Sequence, residues 1–332
     1  MTLPKQMNYI EITQPGGPEV LKLSQEQVPT PDPHELLIKV HAAGINRPDV
    51  LQRAGHYPMK PGMSAVPGLE VAGEVVAVGA SVSGFKVGQS VCALTNGGGY
   101  AEYCAVPATQ TLAIPEGVSM IQAAAIPETF FTVWANLFEL GQARKGETVL
   151  IHGGTSGIGT TALMLCKALG IKAFATVGSE EKCARVRALG AEPINYHDAD
   201  FSEVIAQKTQ GKGVDVILDI MGASYFAQNL ASLARRGRLV VIGFLGGGTV
   251  NDFTLTALLD KQASITGSMM RSRSAEEKAE IARAVEANVW PLLSQGDCLP
   301  IIDQVFPLAD AAKAHQRMEE GGHIGKIVLQ VV

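Results

Sequence analysis

Two spacings of apolar residues divide the chain. Beyond residue 148, near-continuous apolar runs at 149–151, 172–177, 214–220, 238–244 and 264–270 alternate with helical stretches at 160–169, 180–189, 202–208, 224–234 and 255–261, with a short strand near 193–196. Unbroken apolar strands are buried on both faces and the helices between them supply the cover, so this part reads as a doubly wound α/β domain on a parallel sheet. Before residue 127 the β-rich runs are short, at 35–42, 70–78, 89–94 and 100–106, and Gly/Pro turns separate them. That pattern predicts a compact, mostly antiparallel β domain. Near the end, Ser274 and Glu277 make a capping-box pattern opening a helix to about Asn288, and residues 325–332 return to a strand. The simplest path sends this last strand back to the first domain. The expected division is residues 1–126 with 269–332 against 127–268, with the ligand site in the cleft between them.

The junction after the run at 149–151 carries chemistry. His152 leads into Gly153-Gly-Thr-Ser-Gly-Ile-Gly159, and a helix follows at once. Glycine tolerates positive φ and close backbone approach, so Gly154, Gly157 and Gly159, with Ser156 and Ile158 between them, can turn amide N–H groups and a helix dipole toward phosphate. The spacing is G-x-x-G-x-G rather than G-x-G-x-x-G, and any sharp strand-to-helix turn also favours glycine. The uninterrupted strand–helix alternation around the loop tips the reading toward a dinucleotide site.

Charge and composition narrow the partners. A net charge of -5 with no Lys/Arg run argues against nucleic acid or an anionic membrane as partner. No apolar stretch is long enough to span a membrane, and the five scattered cysteines fit a reducing compartment better than a disulfide framework, so the expected location is the cytosol. No Ser/His/Asp or Cys/His arrangement is legible. His152 reads as a hydrogen-bonded structural residue, and His315 and His323, on a polar stretch, as surface groups.

Several segments together resemble one family: Gly16-Gly-Pro-Glu-Val-Leu21, Ala43-Gly-Ile-Asn-Arg-Pro-Asp-Val-Leu-Gln-Arg53, Pro67-Gly-Leu-Glu-Val-Ala-Gly-Glu74, Gly97-Gly-Gly-Tyr-Ala-Glu-Tyr103, Ala123-Ala-Ala-Ile-Pro-Glu-Thr129, the glycine loop, and Asn195-Tyr196. The resemblance is to the medium-chain dehydrogenase/reductase superfamily and its zinc-independent quinone oxidoreductases, the zeta-crystallin relatives. Pro127-Glu128, Gly246-Gly-Gly248 and Arg271-Ser-Arg273 resemble the tumour-suppressor-inducible branch. It implies a Rossmann domain joined to a GroES-like β domain. Where the alcohol dehydrogenase branch binds catalytic zinc through cysteine and histidine, this chain has Asn46 and Leu69; Glu70 remains, and a lone carboxylate cannot complete a tetrahedral set. No C-x-x-C run marks a structural zinc lobe. Neither zinc nor flavin is expected, and the reaction suited to a metal-free site is reduction of an electrophilic acceptor, a quinone or an enone.

The same resemblance implies the site residues. The strand at 172–177 ends in small, neutral Gly178 and Ser179 where an NAD-type site places an acid on the ribose. Lys182 and Tyr196 are carried to a 2′-phosphate, while Glu180 and Glu181 suit a first helical turn. NADPH is therefore expected over NADH. Thr132, Met221, Gly243, Phe244, Leu245, Met270, Arg271 and Lys326 are carried to the cofactor face. For the methionines, core packing competes with contact, and for Lys326, an exposed strand position. Asn46 and Tyr57 are carried to the quinone pocket as the catalytic pair, with Arg47, His56, Phe130 and Leu245 around them; Tyr57 as a packing anchor is the competing reading. A homodimer joined through the strand at 264–270 is also implied. The readings carried forward are quinone reduction, enone reduction, and a crystallin-like protein that binds cofactor without turnover.

Overall fold

The computed structural model describes residues 3–57, 59, 63–251 and 253–332. The chain divides into two compact units, Met1–Phe131 with Arg273–Val332, and Thr132–Ser272.

In the second unit six parallel strands lie in the order Glu192–Asn195, Lys172–Val177, Thr148–His152, Val214–Asp219, Leu233–Val241, Ser264–Gly267. Leu150, Phe174, Ile217 and Leu239 form its buried core, as near-continuous apolar runs require. Serine or aspartate caps three of the covering helices: Ser156 before Gly157–Ala168, Ser179 before Glu180–Ala188 and Asp200 before Phe201–Lys208. The winding direction reverses between Thr148–His152 and Val214–Asp219, and ligands of such sheets bind outside the carboxyl ends at that point. One expectation needs correction at the edge. The last strand stops at Gly267, and Met270 and Arg271 lie buried in a separate 3-10 turn, Met270–Ser272.

The first unit has a mostly antiparallel sheet in the order Ile302–Pro307, Lys326–Gln330, Glu35–Gly44, Glu70–Val78, Ser90–Leu94, Thr111–Ala113, with Tyr103–Pro107 also pairing Glu35–Gly44. The terminal strand pairs antiparallel with the long Glu35–Gly44 strand through Val328↔Gly44, and this register sets Lys326 beyond its end, beside Ile45 and Asn46. Together the units make the expected Rossmann-plus-GroES-like fold. The helix that Ser274 opens runs to Gln295, seven residues past Asn288 and through Pro291, because buried Val289 and Leu293 hold its last two turns. Helix Pro127–Val133 was not expected from periodicity, since its Pro-Glu-Thr start interrupts the apolar pattern. No helix among the described residues is long and apolar enough to cross a membrane.

Candidate active site

At the switch point of the second unit the glycine loop leaves Thr148–His152 tightly folded. Gly153 has φ 70°, and a Cβ on it would meet Ile220 Cδ1 at 2.7 Å on the opposing loop. A Cβ on Gly154 would meet that of Ala175 at 2.6 Å, and one on Gly159 would overlap the Gly153 carbonyl. Ser156 Oγ accepts the Gly159 N–H at 3.0 Å, which leaves the N–H groups of Gly157 and Ile158 in the first turn with no carbonyl one turn back. A close-packed backbone ending in outward amides fits a pyrophosphate. Deeper in, His152 is fully buried, with Nδ1 2.9 Å from Thr176 Oγ1 and Nε2 2.6 Å from Asn229 Oδ1. Asn229 in turn donates to Asp219, which accepts from Met221 and Gly222 N–H and so fixes the loop facing the glycines. Burial pushes the His152 imidazole down to about 4, so it is a neutral support rather than a base.

The next turn holds the residues carried to the 2′-phosphate. Ser179 caps helix Glu180–Ala188 by accepting the Lys182 N–H, and Lys182 is half-exposed. Gly178 has no room for a side chain, because a Cβ there would overlap the Tyr196 hydroxyl. Glu180, in the first turn of that helix, is paired with Arg187 at 2.6 Å.

In the first unit the geometry centres on Lys326. The strand register brings its ammonium, only 4% exposed, to Glu70 Oε1 at 2.6 Å, to the Ile45 carbonyl at 2.9 Å and to Asn46 Oδ1. Asn46 Nδ2 donates to the same Glu70 oxygen at 2.9 Å, and the Glu128 N–H donates to the other at 2.9 Å. Gly44 makes this possible, since a Cβ there would overlap Glu70 Oε1. Asn46 N–H and Gly68 N–H both donate to Asp49, and Tyr100 adds its hydroxyl at 3.2 Å. Tyr100 also lies 3.1 Å from His315 Nε2, and Arg53 joins His315 to Glu319. Burial pushes Asp49 up to about 6 despite those donors, and pushes His315 down to about 3, with Arg53 adding to the fall.

Several expected positions are placed differently. His315 is fully buried, not a surface group, because it lies on the inner face of helix Ala311–Glu319 with Ala311 and Ala314. Lys326 is buried rather than exposed. Phe130 lies inside helix Pro127–Val133 with no exposed surface, so it offers nothing to a substrate. Arg47 and His56 are exposed, and Tyr57 is half-buried next to residues 58 and 60–62, which lie outside the described residues. Phe244 and Leu245, 64% and 56% exposed, follow Leu233–Val241 on the second unit beside Gly243 and half-buried Met221. Thr132 is buried, and its hydroxyl has no hydrogen-bond partner. Among the described residues no group of three or more His, Cys, Asp or Glu is placed to hold a metal ion.

Two family models match this chain: "Alcohol dehydrogenase GroES-like domain" over residues 32–116 and "Zinc-binding dehydrogenase" over residues 157–287. The quinone oxidoreductase of Rattus norvegicus is 36% identical over 329 residues, covering 98% of each chain. The Pseudomonas syringae pv. Tomato DC3000 quinone oxidoreductase structure, 31% identical, superposes with a TM-score of 0.86 over 98% of this chain and 100% of that one. So does the Escherichia coli quinone oxidoreductase complexed with NADPH, at 30% identity, a TM-score of 0.86 and the same coverage.

Proposed function

From a chain that belongs to the medium-chain dehydrogenase/reductase superfamily, among its quinone oxidoreductases, and is thus an NAD(P)H-dependent oxidoreductase, we propose a reductase of quinones that uses NADPH and no bound metal ion. The observation that carries the proposal is the Lys326 ammonium on Glu70. Glu70, the carboxylate that stands where the zinc branch binds its ion, is already neutralised by a cation, and a metal would have to displace a charge 2.6 Å away to reach it. NADPH, when bound, supplies two electrons and one hydrogen to the acceptor. Gly157 and Ile158 would hold its pyrophosphate, Ser179, Lys182 and Tyr196 its 2′-phosphate, and Thr132 a polar group at the nicotinamide end. Asn46, whose amide is held between Lys326 and Glu70, would then offer the polar contact to a quinone oxygen on which negative charge develops.

The proposal extends to a homodimer in the cytosol. Among the described residues Ser264–Gly267 is the outer strand of its sheet, with an edge able to add a partner strand, and all five cysteines are buried thiols. Sedimentation of a monomer at micromolar concentration would remove the dimer.

Steady-state rates with a naphthoquinone, phenanthrenequinone and a small enone, each with NADPH and NADH, test the chemistry. Quinones with NADPH are expected to be fastest; an enone turned over faster than both quinones, or activity that tracks stoichiometric zinc and vanishes on chelation, overturns it. Lys182→Glu sharpens the cofactor assignment. Its KM for NADPH should rise at least about tenfold, roughly 1.4 kcal/mol, with little change for NADH. Equal changes for both cofactors would refute the 2′-phosphate contact.

A further inference from the structure

Three carboxyl groups, Asp49, Glu70 and Glu128, lie in the field of the Lys326 ammonium. Their partners decide where the protons sit. Every contact on Glu70 comes from a donor: Lys326 and Asn46 on one oxygen, the Glu128 N–H on the other, so Glu70 is an anion. Asp49 likewise receives two N–H groups and a hydroxyl. Among the described residues no donor reaches the Glu128 carboxyl. Its own backbone N–H is bound by Glu70, which fixes the first turn of helix Pro127–Val133 against that anion and sets the two carboxyls in one site.

Glu128 also differs in access. Glu70 and Asp49 have no exposed surface, whereas Glu128 is half-buried. One turn along the same helical face, the buried Thr132 hydroxyl has no partner, an oxygen that a polar ligand group would satisfy. The first turn of the helix thus sets Glu128 against Glu70, the anion that also holds Lys326 and Asn46.

We propose that Glu128 is the proton donor of the reaction, passing its proton to the oxygen of a reduced acceptor held beside Asn46 and Lys326. This rests on the quinone-reductase reading. The balance is complete: the reduced nicotinamide gives the quinone two electrons and one hydrogen, and the second hydrogen arrives as the Glu128 O–H bond breaks. The electron pair of that bond stays on the carboxylate, and solvent restores the proton. Burial, and next the Glu70 charge, push Glu128 up to about 8, with Asp49 adding to the rise. Lys326, and Lys278 at its post on Asn96, pull the other way without cancelling it. Glu128 is therefore mostly protonated at neutral pH and loses its proton just above it.

Glu128→Gln keeps the shape and removes the acid. In the cofactor-free protein, an infrared C=O band of a protonated carboxyl should titrate away with a midpoint of about 8 and be missing in the variant. With NADPH and a naphthoquinone, wild-type kcat should fall above that pH; the variant should lose about 100-fold in kcat and show no such limb, with NADPH Kd unchanged. Glu128→Asp should recover part of the rate. A Gln variant with the wild-type rate and pH limb, or wild-type protein without the titrating band, overturns the proposal. Wild-type protein that shows the band but reduces no quinone sinks the functional reading instead.

Discussion

The two units build their candidate sites from opposite materials. In residues 132–272 the cradle is backbone, with glycines packed too tightly to admit a Cβ and no charged residue in the loop sequence itself. In the other unit the cluster is the buried side chains of Asn46, Glu70 and Lys326, joined by the Glu128 N–H, and their positions depend on charge balance. The backbone site should tolerate changes of charge around it and fail on any added Cβ. The side-chain site should survive changes of shape and fail when one charge is left alone.

Removing Lys326 breaks the second kind of site, and the largest effect is expected there. Lys326→Met strands the Glu70 anion in a buried position, which should cost about 3–5 kcal/mol of stability by urea unfolding. Adding Glu70→Gln should restore most of that loss, since the unpaired charge rather than the missing contact is the cost. Losses that simply add would show that the two groups do not depend on each other.

Gly159→Ala attacks the first kind. The new Cβ overlaps the Gly153 carbonyl, and the loop must open to admit it. NADPH affinity should fall about 100-fold, roughly 2.7 kcal/mol, by fluorescence titration. Quinone KM should hold once NADPH is saturating. An unchanged Kd for NADPH would mean that the loop is only a tight turn.

This contrast also explains what could be read from the chain. The glycine loop is contiguous: seven residues between an apolar run and a helix carry all of its chemistry, and periodicity supplies the sheet around it. The cluster has no local signature. Lys326 and Asn46 are 280 residues apart and meet only because Lys326–Gln330 pairs with Glu35–Gly44. Weaker marks were present. Glu70 interrupts the apolar run Leu69-Glu-Val-Ala72, and an acid inside a buried strand has to be paired. Ala311, Ala314, His315 and Met318 fall at i, i+3, i+4 and i+7, the stripe a helix buries, so His315 belonged to the core despite its polar neighbours. Glu128 stood in a segment of family resemblance without any role of its own, because the helix that positions it starts at Pro127 and has no clear apolar period.

Both units also bury a neutral histidine, which allows a finer comparison. His152 and His315 titrate below the ordinary histidine value of about 6.5, chiefly through burial, so the unfolded chain takes up a proton before the folded one does. Their contribution is complete above that value and is lost as the pH falls through it toward 4 for His152 and 3 for His315. Asp49 and Asp219, both raised to about 6, run in reverse: the folded chain takes their protons first, and acid stabilises it through them. Wild-type stability mixes these terms, whereas the gap between wild type and a single histidine variant isolates one. For His315→Asn and His152→Gln alike, the gap should narrow by about 1 kcal/mol from pH 6 to pH 5. A gap of constant size would mean that the histidine keeps its proton when folded. The two variants should part only near pH 4, where folded His152 begins to accept a proton and His315, held lower by Arg53, still does not.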